Sequence, residues 1–221
     1  MLVTKLLIGC HHILFLYGFY LIGSYQLLFF IISGIFFIRV ISEEIMHKGL
    51  SHQLYKPNNN FDIVWNFCSV LLCQGSAIGW CNIHRQHHTY TDTERDPQSV
   101  KHNSLLKVYL GLFKSNPKNK LMIKDLLKRK GFTWTHKNYN ELHILLCVVA
   151  YAINPYLLIS IISPGIIFAF HGAGLINGFS HNGKTPVNNI FLSYFITFSR
   201  ELHLDHHADP ISKKYSLFNI S

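Results

Sequence analysis

Histidine is the residue type whose number and spacing could support chemistry in this chain. The 221 residues include 15 histidines against 11 acidic residues, and nine of the histidines fall into four short clusters. Neutral imidazole is the commonest metal ligand, whereas packed imidazolium cations would repel one another, so the clusters predict metal binding. Numbered along the chain, the clusters are His47 and His52; His84, His87 and His88; His181 with Asn177; and His203, His206 and His207.

The spacing within each cluster predicts how a helix would present its side chains. Positions i, i+3 and i+4 share one face of an α-helix, so the three histidines of the second cluster are predicted to point at one place, as are those of the fourth. The two residues of the third cluster are also four apart. Those of the first are five apart, roughly 140° around an α-helix. They should approach a metal from different sides, or the helix must end between them.

The number of clustered imidazoles indicates how many metal ions they could hold. Nine imidazoles exceed the ligands of one ion, so two ions are predicted. Imidazole suits iron, zinc and copper. A structural zinc ion would usually take four ligands and include cysteine, and no cysteine lies inside a cluster. Iron with O2 chemistry is therefore favoured, although the spacing alone leaves the other metals open.

Carboxylates near the clusters are candidates for holding the imidazole rings in place. Metal-bound histidine usually donates its second ring N–H to such a group. Glu43 lies four residues before His47, and Asp96 follows the second cluster. Glu201 and Asp205 belong to the fourth cluster. These four carboxylates are predicted to orient the ligands.

His11, His12 and the cysteines are predicted to have structural roles rather than to bind metal. His11 and His12 lie in the middle of an apolar segment, and we expect them to be packed or hydrogen-bonded there. No C-x-x-C pair occurs, and three of the cysteines fall in apolar runs. We interpret the cysteines as small buried hydrophobic residues. They are Cys10, Cys68, Cys73, Cys81 and Cys147.

The elements that carry the clusters are predicted to lie in a membrane. Hydrophobic residues make up 49% of the chain and charged residues 14%, against about 25% charged in an ordinary soluble domain. Four apolar segments have about the 20 residues that cross a bilayer core. We predict spans over 2–22, 26–46, 142–162 and 164–181. They form two helical hairpins, which turn at Gly23-Ser24 and at 163–165.

The positive charges predict the orientation of these hairpins. Lysines flank the four open ends, whereas neither turn carries Lys or Arg; the flanking residues are Lys5, Lys48, Lys56, Lys137 and Lys184. The positive-inside rule then places both termini and segments 47–140 and 182–221 in the cytosol. The prediction is one all-α integral-membrane domain, 1–221, whose cytosolic helical cap holds a histidine-rich two-metal site. The net charge of +9 suits an anionic membrane or an acidic partner, and no nucleic-acid motif appears.

The residues around the histidines carry a more specific pattern. Residues 47–56, HKGLSHQLYK, are similar to H-R-x-x-S-H-R-x-Y-K, and Trp80 stands four residues before an H-R-x-H-H box that is followed by Asp96-Pro97. The third cluster reads N-x-x-x-H, and Glu201 precedes a second H-x-x-H-H box. In these features the chain resembles the membrane fatty acid desaturases, above all the acyl-CoA Δ9 desaturases of the stearoyl-CoA type and their bacterial relatives.

The resemblance implies a particular chemistry. The nine clustered histidines would bind two ferrous ions, Asn177 would act through a water on one of them, and Trp80 would line a substrate tunnel. With O2 as co-substrate, the enzyme would introduce a cis double bond, at Δ9 by the nearest resemblance, into an acyl chain. The resemblance further implies an acyl-CoA or acyl-carrier-protein substrate. Electrons would come from a separate ferredoxin or cytochrome b5 type carrier.

Two other functions use the same histidines. One is a membrane di-iron hydroxylase of an alkyl, sterol or carotenoid substrate. The Ser51-His52 and Trp80 motifs favour desaturation over hydroxylation. The other is a non-catalytic membrane metal-binding protein, against which the presence of all nine histidines argues. Product analysis distinguishes the first alternative, and metal analysis with a turnover assay distinguishes the second.

Overall fold

The computed structural model describes residues 2–21, 24–55, 61–112, 120–182, 184–199 and 201–217. Every regular element within these ranges is helical, and β pairing there is limited to an isolated bridge between His181 and Pro186. The all-helical expectation is therefore confirmed for the described residues. The end of the first predicted span at Ile22, the turn residue Gly23 and the flanking Lys56 lie outside them.

The helices follow one another with short connections. In chain order they are α1 (Leu2–Leu21), α2 (Ser24–Ile35), the π-helix π1 (Phe36–Ser51), α3 (Asp62–Leu72), α4 (Ala77–Tyr90), α5 (Leu105–Tyr109), a 3-10 helix (Lys120–Ile123), α6 (Lys124–Leu127), α7 (Lys130–Lys137), α8 (Tyr139–Ile153), π2 (Leu157–Ile162), α9 (Ser163–Phe179), π3 (Leu192–Ile196) and α10 (His203–Ala208). Helix α2 runs directly into π1, and π2 runs directly into α9.

Two of these helices are long and apolar enough to cross a membrane: α1 and the continuous helix Leu157–Phe179. Helices α3 and α4 together would make a third, although they are bent by 84° at their junction. The outer face of α1 exposes Leu6, Ile13 and Leu16. Exposing this apolar surface to water would be unfavourable, whereas lipid accommodates it. The helices therefore fit a membrane protein. The count of four spans stays a prediction.

The second predicted hairpin turn is wrong. The helix passes through Pro164 without a break, and the chain turns at Asn154-Pro155 instead, so the predicted bounds 142–162 and 164–181 are replaced by Tyr139–Ile153 and Leu157–Phe179. Asn154 is extended (φ −164°, ψ 118°), as a residue before proline prefers, and its side-chain oxygen accepts the Tyr156 N–H at 2.9 Å. Pro164 is the second residue of α9, directly after the π-helical turn of π2, and so lies inside the continuous helix.

Helix α9 is the central element, since it packs against α1, α2, π1 and α5. Glycines make these contacts close. A Cβ built on Gly165 would collide with the ring of Phe37, and one on Gly174 would lie 2.5 Å from the Tyr109 carbonyl oxygen. The buried core beside α9 includes Ile38 and Ile41 of π1. This packing holds the first half of π1 against α9, and the first cluster follows at the other end of π1.

Replacing Gly174 with alanine is expected to destabilise this packing. The new methyl group would press on backbone of the α5 segment, and overpacking of this kind costs about 1–3 kcal/mol. Gly9→Ala is the matched control, because a Cβ there meets no atom within 4 Å. Thermal unfolding in detergent should show a lower midpoint for Gly174→Ala only. Equal midpoints for the two variants would contradict the packing.

Candidate metal centre

All nine clustered histidines lie in two adjacent groups. Within each group, one ring nitrogen of every member lies within 4.8 Å of one from every other member. Rings of the two groups also touch, since His88 and His207 stack with centroids 4.2 Å apart. We name the sets the five-histidine group (His47, His52, His84, His88 and His206) and the four-histidine group (His87, His181, His203 and His207).

The triplets on α4 and α10 are divided between the groups, so the expectation that each triplet points at one place is wrong. On α4, His84 and His88 belong to the five-histidine group and His87 to the other. On α10 the division is reversed, since His206 alone joins the five-histidine group. Both helices pass along the boundary between the groups. An H-x-x-H-H sequence therefore serves two sites, because i and i+4 turn to one side of this boundary and i+3 to the other.

The first cluster is gathered by π-helical winding, which α-helical spacing does not anticipate. The His52 N–H bonds to the His47 carbonyl at 3.1 Å, the i→i+5 bond of a π-helix. This wider turn brings positions i and i+5 near one side of the helix. The two ring centroids are 5.0 Å apart. Of the two sequence-based alternatives, approach from different sides or a helix end between the two residues, the second is confirmed, because π1 ends at Ser51 and His52 is its C-cap residue.

The ring nitrogens of both groups converge, as metal ligands would. Nε2–Nε2 distances are 2.9 Å for His52–His84 and 2.8 Å for His181–His203. Among the described residues, buried Nε2 atoms without a hydrogen-bond partner belong to His47, His87 and His207. A buried polar atom normally has a partner, so these nitrogens require one that is not part of the protein. The donor set consists of imidazoles, which fits iron, zinc or copper.

The environment keeps the imidazoles in the neutral form that binds metals. Burial, together with His206 and Arg85, lowers the pKa of His52 to about 2. Burial and neighbouring imidazoles lower the pKa of His207 to about 2 and hold that of His203 well below its ordinary value. The cause is desolvation first and like charge second. These rings therefore present lone pairs at neutral pH.

Three of the four predicted carboxylates lie beside a histidine of the groups. Glu43 lies 2.9 Å from Nδ1 of His47, and Asp96 lies 3.0 Å from Nδ1 of His87. Glu201 is 3.8 Å from Nδ1 of His206. Burial by itself would raise the pKa of Glu201, but electrostatic interaction with His206 and with Lys48 outweighs burial and lowers it. Each carboxylate lies on the Nδ1 side, which leaves Nε2 to face the group.

The fourth predicted carboxylate, Asp205, is exposed and makes no contact with a grouped histidine in the described structure. It lies two residues after His203 and one before His206, so it points to the opposite side of α10. Its predicted orienting role is not supported. Asp92 also follows the second cluster but was not among the four carboxylates predicted to orient a ligand, and its Oδ2 lies 3.1 Å from Nδ1 of His181. Asp92 is buried with φ 59°, and the two residues are 89 positions apart, so spacing gave no signal.

Arg85 fixes α4 relative to the end of π1. Its guanidinium donates to the carbonyls of Leu50 and Ser51 at 3.0 and 2.8 Å. It also donates to both carboxylate oxygens of Asp125 at 2.7 and 3.0 Å. A planar guanidinium can satisfy these acceptors together, which lysine cannot. The arginine of the H-R-x-H-H box thus sets the position of His52 relative to His84.

A cavity of about 400 Å³ opens onto both groups. Its wall includes Trp80, Asn177, Ile8 and Phe170, with five of the grouped histidines. The indole of Trp80 stacks on the His84 ring with centroids 5.0 Å apart and an interplanar angle of 18°. The predicted tunnel residue and the predicted asparagine therefore both face the space beside the candidate metal sites.

Apolar helices and two adjacent histidine groups beside a cavity define a candidate two-metal membrane protein. Comparison with known families shows which family of membrane proteins this is. The family model described as "Fatty acid desaturase" matches residues 22–217. The chain belongs to the fatty acid desaturase family, and the resemblance found in its motifs is confirmed.

Curated relatives carry a range of desaturase names. The Arabidopsis thaliana "Delta-9 desaturase-like 4 protein" is 29% identical over 185 residues, 77% of this chain and 61% of that protein. The "sn-1 stearoyl-lipid 9-desaturase" of a Synechocystis species is 23% identical, with 77% and 57% covered. The "Icosanoyl-CoA 5-desaturase" of Limnanthes douglasii is 25% identical, with 77% and 52% covered. The chain spans between half and three-fifths of the length of these relatives.

Proposed function

We propose that the chain is an O2-dependent fatty acyl desaturase that introduces a cis double bond into an acyl chain. The observation that carries this proposal is the gathering of nine histidines from four segments into two groups beside one cavity, in a member of the desaturase family. Among double-bond positions we propose Δ9, which appears in the names of several relatives. The substrate is an acyl-CoA or acyl-carrier-protein thioester.

The five-histidine and four-histidine groups would each hold one Fe2+, with Asn177 acting through a water. When bound, the two ions supply the reduction of O2 and the oxidising power that removes hydrogen from adjacent methylenes, which no side chain could provide. The protein's own groups supply geometry. Asp92 and Asp96 hold the Nδ1 sides of His181 and His87 and thereby aim their Nε2 atoms.

The cavity would place the acyl chain beside these groups. Ile8, Phe170, Ala173 and Ile176 give it an apolar wall, and Trp80 closes it next to His84. Apolar lining excludes water and holds a flexible chain in one conformation, which converts binding energy into orientation. We propose that this cavity is the inner part of the substrate tunnel.

The remaining parts of the proposal concern the surroundings of the enzyme. We propose a single multi-pass membrane domain with both termini and the metal centre in the cytosol. Electrons would come from a separate ferredoxin or cytochrome b5 type carrier. Such carriers are typically acidic, and the net charge of +9 favours association with an acidic partner.

The direct test is to express the chain in cells and analyse their fatty acids by gas chromatography, together with iron analysis of the purified protein. A new O2-dependent cis alkene with bound iron supports the proposal. A stable alcohol without an alkene would indicate the hydroxylase instead. Zinc alone in both histidine groups, with no O2-dependent turnover when a reductant is supplied, would indicate a non-catalytic metal-binding protein.

Asp92→Asn is expected to weaken metal binding in the four-histidine group by about 10–100-fold, because an amide can present its N–H to Nδ1 and favour the wrong tautomer of His181. Iron content measured against a series of chelator concentrations checks this. Asp205→Asn is the matched control, since that exposed carboxylate touches no grouped histidine in the described structure. Equal iron retention by the two variants would remove the orienting role of Asp92.

A further inference from the structure

A second set of metal-ligating side chains lies apart from the nine grouped histidines. His11 comes from α1, Cys73 follows α3, and His143 and Cys147 lie one turn apart on α8. One ligand atom each from His11, Cys73 and His143 lies within 4.8 Å of the other two, and all three residues are buried. Cys147 Sγ lies 3.9 Å from Nε2 of His11 and 3.6 Å from Nε2 of His143.

We propose that His11, Cys73 and His143 bind one Zn2+ ion. Cys147 lies beside both imidazoles but outside this set of mutually close ligand atoms, and it would turn toward the ion as the fourth ligand of a tetrahedral Cys2His2 site. With Zn–N near 2.0–2.1 Å and Zn–S near 2.3 Å, the nitrogen–sulfur edge of a tetrahedron is about 3.6 Å. The distance from Cys147 to His143 equals this edge, and the distance to His11 is 0.3 Å longer. The His11–His143 Nε2 separation of 2.9 Å is shorter than a tetrahedral edge, and it equals the His52–His84 separation in the five-histidine group.

The outer partners of the two imidazoles suit metal ligation. Nδ1 of His143 lies 2.7 Å from the Val70 carbonyl, which only accepts, so this nitrogen carries the proton and Nε2 presents a lone pair. Nδ1 of His11 lies 2.8 Å from Oγ of Ser163, which can accept an N–H. Both rings can therefore present Nε2 to an ion while their Nδ1 atoms are held, as zinc-bound histidines usually are.

Cys73 ends helix α3 in a left-handed backbone conformation. It is fully buried at the end of α3, with φ 56° and ψ 25°. A left-handed residue is a common way for a helix to end, although glycine usually takes this place, and the conformation sets the direction in which the Cys73 side chain leaves α3. The end of α3 supplies both this cysteine and, through Val70, the carbonyl that orients His143.

Charge balance favours a divalent ion among these ligands. Binding releases both thiol protons, and two thiolates then neutralise Zn2+ while the imidazoles stay neutral. A neutral unit suits the apolar surroundings of α1 and α8, where an unpaired charge would be costly. The site would tie α1, α3 and α8 together. The proposal does not depend on desaturation, because it involves none of the nine grouped histidines.

The test uses the full purified chain in detergent and begins with metal analysis and zinc-edge X-ray absorption. We expect about one zinc per chain besides iron, with sulfur neighbours at about 2.3 Å. Zinc surrounded only by nitrogen and oxygen would overturn the proposal, since zinc displaced into the histidine groups would look that way. So would the absence of zinc. This measurement needs no variant and is unaffected by a folding defect.

Cobalt substitution and variants then identify the ligands. Thiolate-to-cobalt charge-transfer bands are expected, because neither grouped histidine set contains sulfur. Cys73→Ser and Cys147→Ser should each lose these bands and the zinc while retaining iron. Cys10→Ser is the matched control, an exposed cysteine next to His11. Bands that survive both test variants, or that disappear in the control, would overturn the ligand set. Iron content and fatty acid products report separately on the proposed desaturase.

Discussion

His87→Ala is expected to abolish desaturation while leaving membrane insertion intact. His87 is 2% exposed, and its Nε2 atom is buried without a hydrogen-bond partner in the described structure. Its ring lies 4.7 Å from that of His181 and 5.0 Å from that of His207, measured between centroids. Alanine would leave three histidines in the four-histidine group. One proposed metal site would then lose a ligand that no neighbour replaces.

The expected loss of activity in His87→Ala can be estimated from the effect of removing a carboxylate that orients a metal-bound histidine. Removing only a partner of a metal-bound histidine costs about 10–100-fold, so removing the histidine itself should cost more than about 100-fold in desaturation. The apolar helices do not include this residue among their lipid-facing side chains, so insertion should be unchanged. Fatty acid analysis of expressing cells, iron analysis and membrane fractionation measure the three quantities.

The matched control for this experiment is His102→Ala, since His102 is exposed and belongs to neither group. It should retain iron and product formation. Activity retained in His87→Ala would remove the two-metal proposal. Activity lost equally in both variants would point to a cause other than ligand loss.

The candidate ligands could be predicted from sequence because nine histidines at repeated spacings are rare without a metal. Their division between two groups could not. Helical periodicity places His84, His87 and His88 within a broad face, and only the second set of histidines, from elsewhere in the chain, shows that this face borders two sites. The wide turn that joins His47 and His52 is equally invisible to a period of 3.6 residues.

The errors in the helix bounds have a local cause. Pro164 in a Ser-Pro-Gly sequence indicates a turn, yet the helix continues through it at the point where π2 changes to α9. Asn154-Pro155 carries an equally good turn signal inside an apolar run. Hydropathy does not distinguish between the two, whereas packing of α9 against α1 and π1 does.

Contacts between distant segments were beyond prediction altogether. Asp92 reaches His181 across 89 positions, and His11 reaches His143 across 132. Asp92 was accordingly not among the predicted carboxylates, and the hydrogen-bond partners of His11 could not be named in advance. In each case the relevant fact is which segments of the chain meet in the folded protein, and that depends on the whole fold.

Lys48→Met is the second variant with a large expected effect, because it breaks a buried ion pair next to the metal centre. The Lys48 side chain is 1% exposed, and its ammonium lies 2.6 Å from Oε2 of Glu201, whose side chain is 6% exposed. The same carboxylate oxygen lies 3.8 Å from Nδ1 of His206. Removing one partner of a buried pair costs about 3–5 kcal/mol, because the other charge is left without compensation.

Loss of the Lys48–Glu201 ion pair should weaken metal binding in the five-histidine group as well as lower the stability of the fold. Glu201 without Lys48 must find a new partner or take up a proton, and either change alters its contact with His206. We therefore expect both a lower thermal midpoint and lower iron content. Lys101→Met, at an exposed lysine, is the control for loss of one positive charge and should change neither quantity.

The double variant Lys48→Met with Glu201→Gln separates the two effects. Removing both charges eliminates the uncompensated carboxylate, so much of the stability should return, and the coupling between the two sites should be evident as non-additive unfolding free energies. Iron binding should recover less, since the neutral amide at position 201 would no longer offer His206 a charged acceptor. If the single variant were as stable as the parent chain, or if the two changes were additive, Lys48 and Glu201 would not be the interacting pair that links π1 to the histidines of α10.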